Sequence, residues 1–205
     1  MPPGLVAPIG TSAPLPVISH IDTVDPVVFL TIDDGQVRDP RVVELIEKFK
    51  IPATLFINEG PLRADPDYFK RVAAFGGSVN SHTRSHPVLT KLSFAQQREQ
   101  ICGMRNAIGE FVFVPGHFFR APYGSLNDTT RNAAANCGMN AIFQWSATIN
   151  DGVIRYARPS GLRAGDIVLT HFRPDLYDNI VALWWTAGAQ GLRLASLDGY
   201  VPLAK

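Results

Sequence analysis

The feature that most constrains this chain is the alternation, from residue 27 onward, of short apolar runs with amphipathic segments. A parallel crossover needs a returning helix, so this alternation predicts βα units around a mainly parallel sheet. The runs are VVFLTI from Val27, ATLFIN from Ala53, a short stretch at Ser78 to Asn80, GHFFR from Gly116, AIFQW from Ala141, DIVLTH from Asp166 and LRLASL from Leu192. Asp39 before Pro40 and Asp65 before Pro66 each read as an N-cap with proline at the first helical position. The first of these helices is expected to turn Val42, Val43, Leu45, Ile46 and Phe49 inward, and the second to bury Tyr68 and Phe69. Ser93 with Gln96 predicts a capping box opening a longer helix whose apolar stripe is Phe94, Ile101, Met104 and Ile108. Further helices are expected near residues 126–137 and 176–190. Seven parallel strands predict a small, incomplete relative of the eight-stranded barrel, which usually takes about 250 residues.

With 205 residues and 46% hydrophobic content, the chain can fill one sizeable core and is too short for two ordinary domains. Residues 27–205 are therefore read as a single domain, and residues 1–26, with six prolines and little periodicity, as an extended arm leading into it. The arm lacks the charged start and apolar centre of a secretion signal. A formal charge of +1 from 19 basic and 18 acidic residues leaves no electrostatic footprint for nucleic acid or an anionic membrane. No apolar run reaches the roughly 20 residues that a bilayer span requires. Cys102 and Cys137 sit 35 residues apart in helix-like segments; a disulfide is open to them, and two buried free thiols are the expectation.

Against this frame the polar residues fall at the carboxyl ends of strands, where parallel α/β folds build their sites. Asp33 and Asp34 follow the first strand, His82 and His86 the third, Arg120 to Tyr123 the fourth and Asp151 the fifth, while His171 ends the sixth. Adjacent carboxylates repel, and giving one to a cation and the other to an arginine resolves the clash. The two imidazoles of HTRSH, four residues apart, can face one cation on a helical turn, and with one carboxylate they make a His2Asp set. That set suits zinc with an open position, and cobalt, nickel or manganese would also be accepted. Taken singly, each feature has a plainer explanation: a polar strand-to-loop turn for the doublet, chance spacing for the histidines, a salt bridge for Arg120 and a core histidine for His171.

Together, TIDDG, SHTRSHP, RAPYGS, the WSATINDG region and IVLTH resemble, in order and spacing, the five motifs of the NodB-homology polysaccharide deacetylases, carbohydrate esterase family 4. The resemblance covers roughly residues 27–200 and implies a distorted (β/α)7 barrel. It implies that Asp33 is the catalytic base, that Asp34, His82 and His86 bind the metal, and that Arg120 orients Asp33 and keeps it ionised. It further implies an oxyanion contact from the Tyr123 backbone N–H, a general-acid role for His171 and an acetyl-methyl pocket lined by Leu169. In the fourth motif Asp151 matches the aspartate that tethers the acid histidine and should raise its pKa. Gly152 stands where the family has a tryptophan. Trp145, six residues before Asp151, is either a substitute for that ring or a core residue.

The implied activity is metal-dependent removal of acetyl groups from an N-acetylated sugar polymer, either chitin-type oligomers or peptidoglycan. Its rivals are O-acetyl ester cleavage on xylan-type polymers and a catalytically silent sugar-binding homologue. A metallo-phosphoesterase fits poorly, lacking a second metal cluster and a basic patch. Secretion or a cell-envelope location follows from the substrate class alone. His20 and His117 are read as packed or surface histidines. One indole of Trp184 and Trp185 is read as core and the other as a sugar-stacking platform, with Asn58 and Glu59 as substrate contacts.

Overall fold

The structure, a computed structural model, describes residues 15–111, 116–158 and 161–201. In chain order the first half contains β1 (Val17–Ile18), β2 (Val27–Asp34), α1 (Pro40–Phe49), β3 (Thr54–Ile57), α2 (Glu59–Ala64), α3 (Pro66–Val72), β4 (Val79–Ser81) and α4 (Phe94–Phe111). The second half contains β5 (Phe118–Phe119), α5 (Asp128–Asn136), β6 (Ala141–Phe143), β7 (Ala147–Asn150), β8 (Val153–Tyr156), β9 (Ile167–His171), α6 (Leu176–Ala189) and β10 (Arg193–Ala195). The strands form one sheet in the order β1-β6-β5-β4-β3-β2-β9-β7-β8, with β10 also paired to β2.

The covalent chain dictates the sheet's curvature. β6 and β7 lie six steps apart in this order, roughly 29 Å if the sheet were flat at ~4.8 Å per step. Only Gln144, Trp145 and Ser146 join them, a link that reaches at most about 14 Å. The sheet must therefore curl until its ends approach, and the result is an incomplete barrel. Among the described residues the pairings between these strands are parallel except the β7–β8 hairpin, and one isolated antiparallel bridge joins His20 to Asp166.

Because β2 is covered on both faces, it reads as an unbroken apolar run rather than an alternating one. Val28, Leu30 and Ile32 pack outward against Val42, Ile46 and Phe69 of the helices, while Val27 and Phe29 pack inside the curl with Phe56, Phe118 and Phe143. The same period of two carries Thr31 and Asp33 to the inner face.

Both aspartate caps form as expected: Asp39 Oδ1 accepts from the Arg41 N–H at 2.9 Å, and Asp65 Oδ1 from the Tyr68 N–H at 3.1 Å. The capping box is reciprocal, the Ser93 N–H donating to Gln96 Oε1 at 3.0 Å and the Gln96 N–H to Ser93 Oγ at 3.4 Å.

Several expectations need correction. The end of the arm is built into the sheet, since β1 pairs with β6 and the Leu15 carbonyl accepts from the Arg131 guanidinium at 2.9 Å. Residues 1–14 lie outside the described residues. The sheet gains β7 and β8 beyond the seven strands, because Asp151 and Gly152, with φ of 51° and 70°, make the two-residue hairpin turn that an Asp-Gly pair favours. Cys102 and Cys137 are joined in a disulfide instead of being free thiols. Phe49 and Phe94 are partly exposed rather than inward. Trp184 and Trp185 are both exposed, Trp184 stacking on Phe49 with ring centroids 4.7 Å apart. They occupy the carboxyl half of α6, which returns the chain away from the strand ends and so carries the pair away from the rim that holds the histidines.

Candidate active site

The rim of the sheet is where the strand geometry breaks. Asp34, Thr83, His86, Tyr123 and Asp151 are non-glycine residues with positive φ, and all stand at carboxyl ends of strands or in the loops that follow. Such conformations cost about 1–3 kcal/mol each and persist only where the surroundings over-determine them. At Asp34, with φ of 82°, the break ends the alternation of β2, and both carboxylates of the doublet reach one site. His82 Nε2 lies 3.7 Å from Asp33 Oδ2 and 3.5 Å from Asp34 Oδ1, and His86 Nε2 lies 3.3 Å from Asp34 Oδ1. Gly35 follows with φ of 110°, and a Cβ there would meet Pro61 Cβ at 2.8 Å, so glycine is required at this step.

The two carboxylates have different partners. Asp33 is buried against Arg120, which is itself fully buried. The guanidinium donates to Asp33 Oδ1 at 2.8 Å, Thr31 Oγ1 at 2.9 Å, the Gln144 carbonyl at 3.0 Å and the Phe143 carbonyl at 3.3 Å. It also lies over the Phe56 ring, 4.3 Å from its centroid. Burial pulls the Arg120 pKa down and the neighbouring Asp33 charge opposes that pull. By contrast, Asp34 Oδ1 is buried with no hydrogen-bond partner among the described residues.

That orphaned oxygen belongs to a candidate cation site. The ligand atoms of Asp34, His82 and His86 all lie within 4.8 Å of one another. His82 Nδ1 lies 2.8 Å from the Arg120 carbonyl, and a carbonyl can only accept, so Nδ1 carries the proton and Nε2 presents its lone pair. The donor set of one carboxylate and two imidazoles fits a divalent cation with an open position.

His171 adjoins Asp33 in the β2–β9 register, and Leu169 adjoins Thr31 one layer below on the same face. Burial lowers the His171 pKa, with the Asp33 and Asp34 charges opposing and Arg173 and Arg120 reinforcing it. The expected tether is not formed. Asp151 is exposed at the hairpin tip, where its backbone N–H donates to the Asp175 carboxylate at 2.9 Å. Among the described residues His171 Nδ1 is buried without a hydrogen-bond partner, and Asp151 does not raise its pKa. A Cβ at Gly152 would find open space, and its N–H donates to Asn179 Oδ1 at 2.8 Å. Tyr123, with φ of 59°, is exposed and sets its ring edge-on to His86, centroids 4.6 Å apart. Trp145 is half-buried, close to Arg120 and packed under the turn at Gly124, whose Cβ would sit 3.1 Å from the indole.

Two assignments change and others were missed. Asn58 is buried, and its amide donates to the His82 carbonyl at 2.7 Å and the Thr83 carbonyl at 3.1 Å, so it holds the histidine loop. The carboxylate of Glu59 is occupied by Arg63 and Arg84. Thr31, which helps seat Arg120, and Thr83, whose Oγ1 accepts the His86 N–H at 3.1 Å, had no signal beyond lying inside the motifs.

His82 and His171 share a burial-lowered pKa, and each stays neutral in the folded chain at a pH where the unfolded chain, near 6.5, already binds a proton. Stability is then lost as pH falls through 6.5 toward the depressed folded values. The chelator-treated protein should melt at a lower temperature at pH 5.5 than at 7.5. A flat melting temperature over that window would exclude neutral burial of the pair.

The family model described as polysaccharide deacetylase matches residues 20–142. An uncharacterized protein of Streptomyces coelicolor is 40% identical over 195 residues, covering 91% of this chain and 77% of that one. A chitooligosaccharide deacetylase of Sinorhizobium fredii is 31% identical over 152 residues, covering 73% and 68%. Among solved structures, the chitin deacetylase of the fungal pathogen Colletotrichum lindemuthianum superposes with a TM-score of 0.78 at 23% identity, over 94% of each chain.

Proposed function

Since the chain belongs to the polysaccharide deacetylase family, we propose that it is a metal-dependent hydrolase that releases acetate from an N-acetylated sugar polymer. The polymer would be of the chitin-oligomer or peptidoglycan N-acetylglucosamine type. The observation that carries this reading is the unequal partnering of the Asp33–Asp34 doublet: one carboxylate is bound to a buried guanidinium, the other points an unpartnered oxygen between two imidazoles.

When bound by Asp34, His82 and His86, a divalent cation, most simply zinc, would supply Lewis acidity toward the acetyl carbonyl oxygen. Asp33 takes the proton from the attacking water, and Arg120 fixes the direction in which its free oxygen points. The Tyr123 backbone N–H donates to the developing oxyanion. His171 delivers a proton to the departing amine nitrogen as the C–N bond breaks, so acetate and the free amine leave. Leu169 lies where the acetyl methyl would be received, with Trp145 beside the turn that carries Tyr123. Asp151 enters this scheme only if its carboxylate swings inward from the hairpin tip.

One observation favours a second reading. A lowered pKa and an untethered Nδ1 make His171 a less available acid, and an ester leaving group needs less protonation than an amine. O-acetylated sugars are therefore the alternative substrate. The Cys102–Cys137 disulfide suits an oxidising compartment and supports secretion or a cell-envelope location.

The test is acetate release from an N-acetylglucosamine oligomer and from an O-acetylated xylan, each with zinc, after chelation and after metal is restored. Release that vanishes on chelation and returns with metal is expected. Release indifferent to chelation on both substrates would overturn the metal-dependent reading, and release from the xylan alone would move the assignment to the ester.

A further inference from the structure

Resting on the cation site proposed above, we propose that α4 is a clamp for the loop that carries its histidines, with Gln100 as the positioning residue and the Cys102–Cys137 bridge as its anchor. The loop from His82 to His86 leaves the sheet at once and takes two left-handed steps, Thr83 at φ of 72° and His86 at φ of 59°. Within it the Thr83 hydroxyl accepts the His86 N–H at 3.1 Å, and further support comes from outside the loop.

Its first half is gripped from the β3–α2 side by Asn58 and by the Glu59 N–H, which donates to the Arg84 carbonyl at 3.2 Å. Its second half is gripped from α4. Both the N–H and the hydroxyl of Ser85, the residue immediately before His86, donate to Gln100 Oε1, at 3.1 and 3.2 Å. The Arg84 guanidinium, on the loop's outer side, is shared between Glu59 and Glu99 of α4. Gly103 leaves the passage for that arginine, since a Cβ there would lie 2.5 Å from Arg84 Cδ.

A clamp must itself be fixed. Two residues beyond Gln100, Cys102 is bonded to Cys137 at the carboxyl end of α5. Buried Gln97, on the same helix, accepts from Thr130 Oγ1 of α5 at 2.7 Å. The order of connection is thus α5, the bridge, α4, Gln100, Ser85 and His86. The Gln100 side chain bonds Ser85 rather than a ligand residue; its effect on the cation passes through the placement of His86 relative to His82.

The experiment measures zinc affinity by calorimetric titration of the metal-free full chain, with circular dichroism to confirm folding. Gln100→Leu removes the acceptor and is expected to weaken binding by up to about 10-fold, the lower end of the range for groups bonded directly to a ligand, because Gln100 acts through Ser85. Gln100→Glu keeps an acceptor at the same place and should retain affinity close to the unsubstituted protein. Ser85→Ala, on an exposed loop where folding is not at stake, should produce a smaller loss in the same direction. Replacing both cysteines by serine should also weaken binding, and unchanged affinity there would remove the bridge from the clamp. Unaltered affinity in Gln100→Leu or Ser85→Ala, or a loss in Gln100→Glu equal to that of Gln100→Leu, would overturn the positioning role while the cation site stands. Absence of zinc binding by the unsubstituted protein would overturn the cation site and the clamp together.

Discussion

Replacing Asp33 with asparagine is expected to lower acetate release about 10²- to 10⁴-fold, the usual contribution of a positioned base, while zinc binding persists. The separation follows from geometry. Asp33 is hydrogen-bonded to Arg120 and is not among the three residues whose ligand atoms converge, so its amide analogue leaves Asp34, His82 and His86 in place. The amide also stays within reach of the guanidinium, which keeps its bonds to Thr31, Phe143 and Gln144. Turnover and calorimetric zinc affinity measured on one preparation would check this. Loss of zinc along with activity would move Asp33 into the ligand set.

The second large effect concerns stability. Arg120→Leu removes the guanidinium that compensates a buried carboxylate, and breaking such a pair from one side costs about 3–5 kcal/mol. It also strips donors from two carbonyls and a hydroxyl inside the curl. Removing Asp33's charge as well, in Asp33→Asn/Arg120→Leu, should recover part of that loss, because no unpaired buried charge remains. Denaturant unfolding of the two single variants and the double variant gives the coupling directly. A double variant whose loss equals the sum of the singles would mean that the pair is energetically independent despite its 2.8 Å contact.

Much of this architecture is legible in the residues themselves. The helices beginning at Pro40 and Pro66 announce their own starts, because an aspartate followed by proline satisfies two local rules at once. The pairing of β2 buries it on both faces, and an apolar run ending in a charged doublet is what such a strand must look like at its rim. The convergence of Asp34, His82 and His86 is likewise readable, since it depends on residue type and strand position. What escaped was decided by contacts between distant segments. The Cys102–Cys137 pairing depends on how α4 and α5 pack. Asn58 and Gln100 are polar residues whose partners are backbone groups of a loop far away in sequence, and no local pattern marks them. The hairpin is a different case. Asp151-Gly152 between Ile149 and Ile154 is a strong local turn signal, and the same two residues also fall within the fourth motif.

The hairpin also separates what can change from what cannot. Asp33, Asp34, His82 and His86 come from β2 and the loop after β4, in the parallel part of the sheet, whereas Asp151 and Gly152 sit at a two-residue tip between β7 and β8, where a Cβ at Gly152 would find open space. Insertion at that tip would extend the hairpin without displacing a residue of the buried Asp33–Arg120 pair. The length and composition of this one turn are thus free to vary without any demand on the buried cluster.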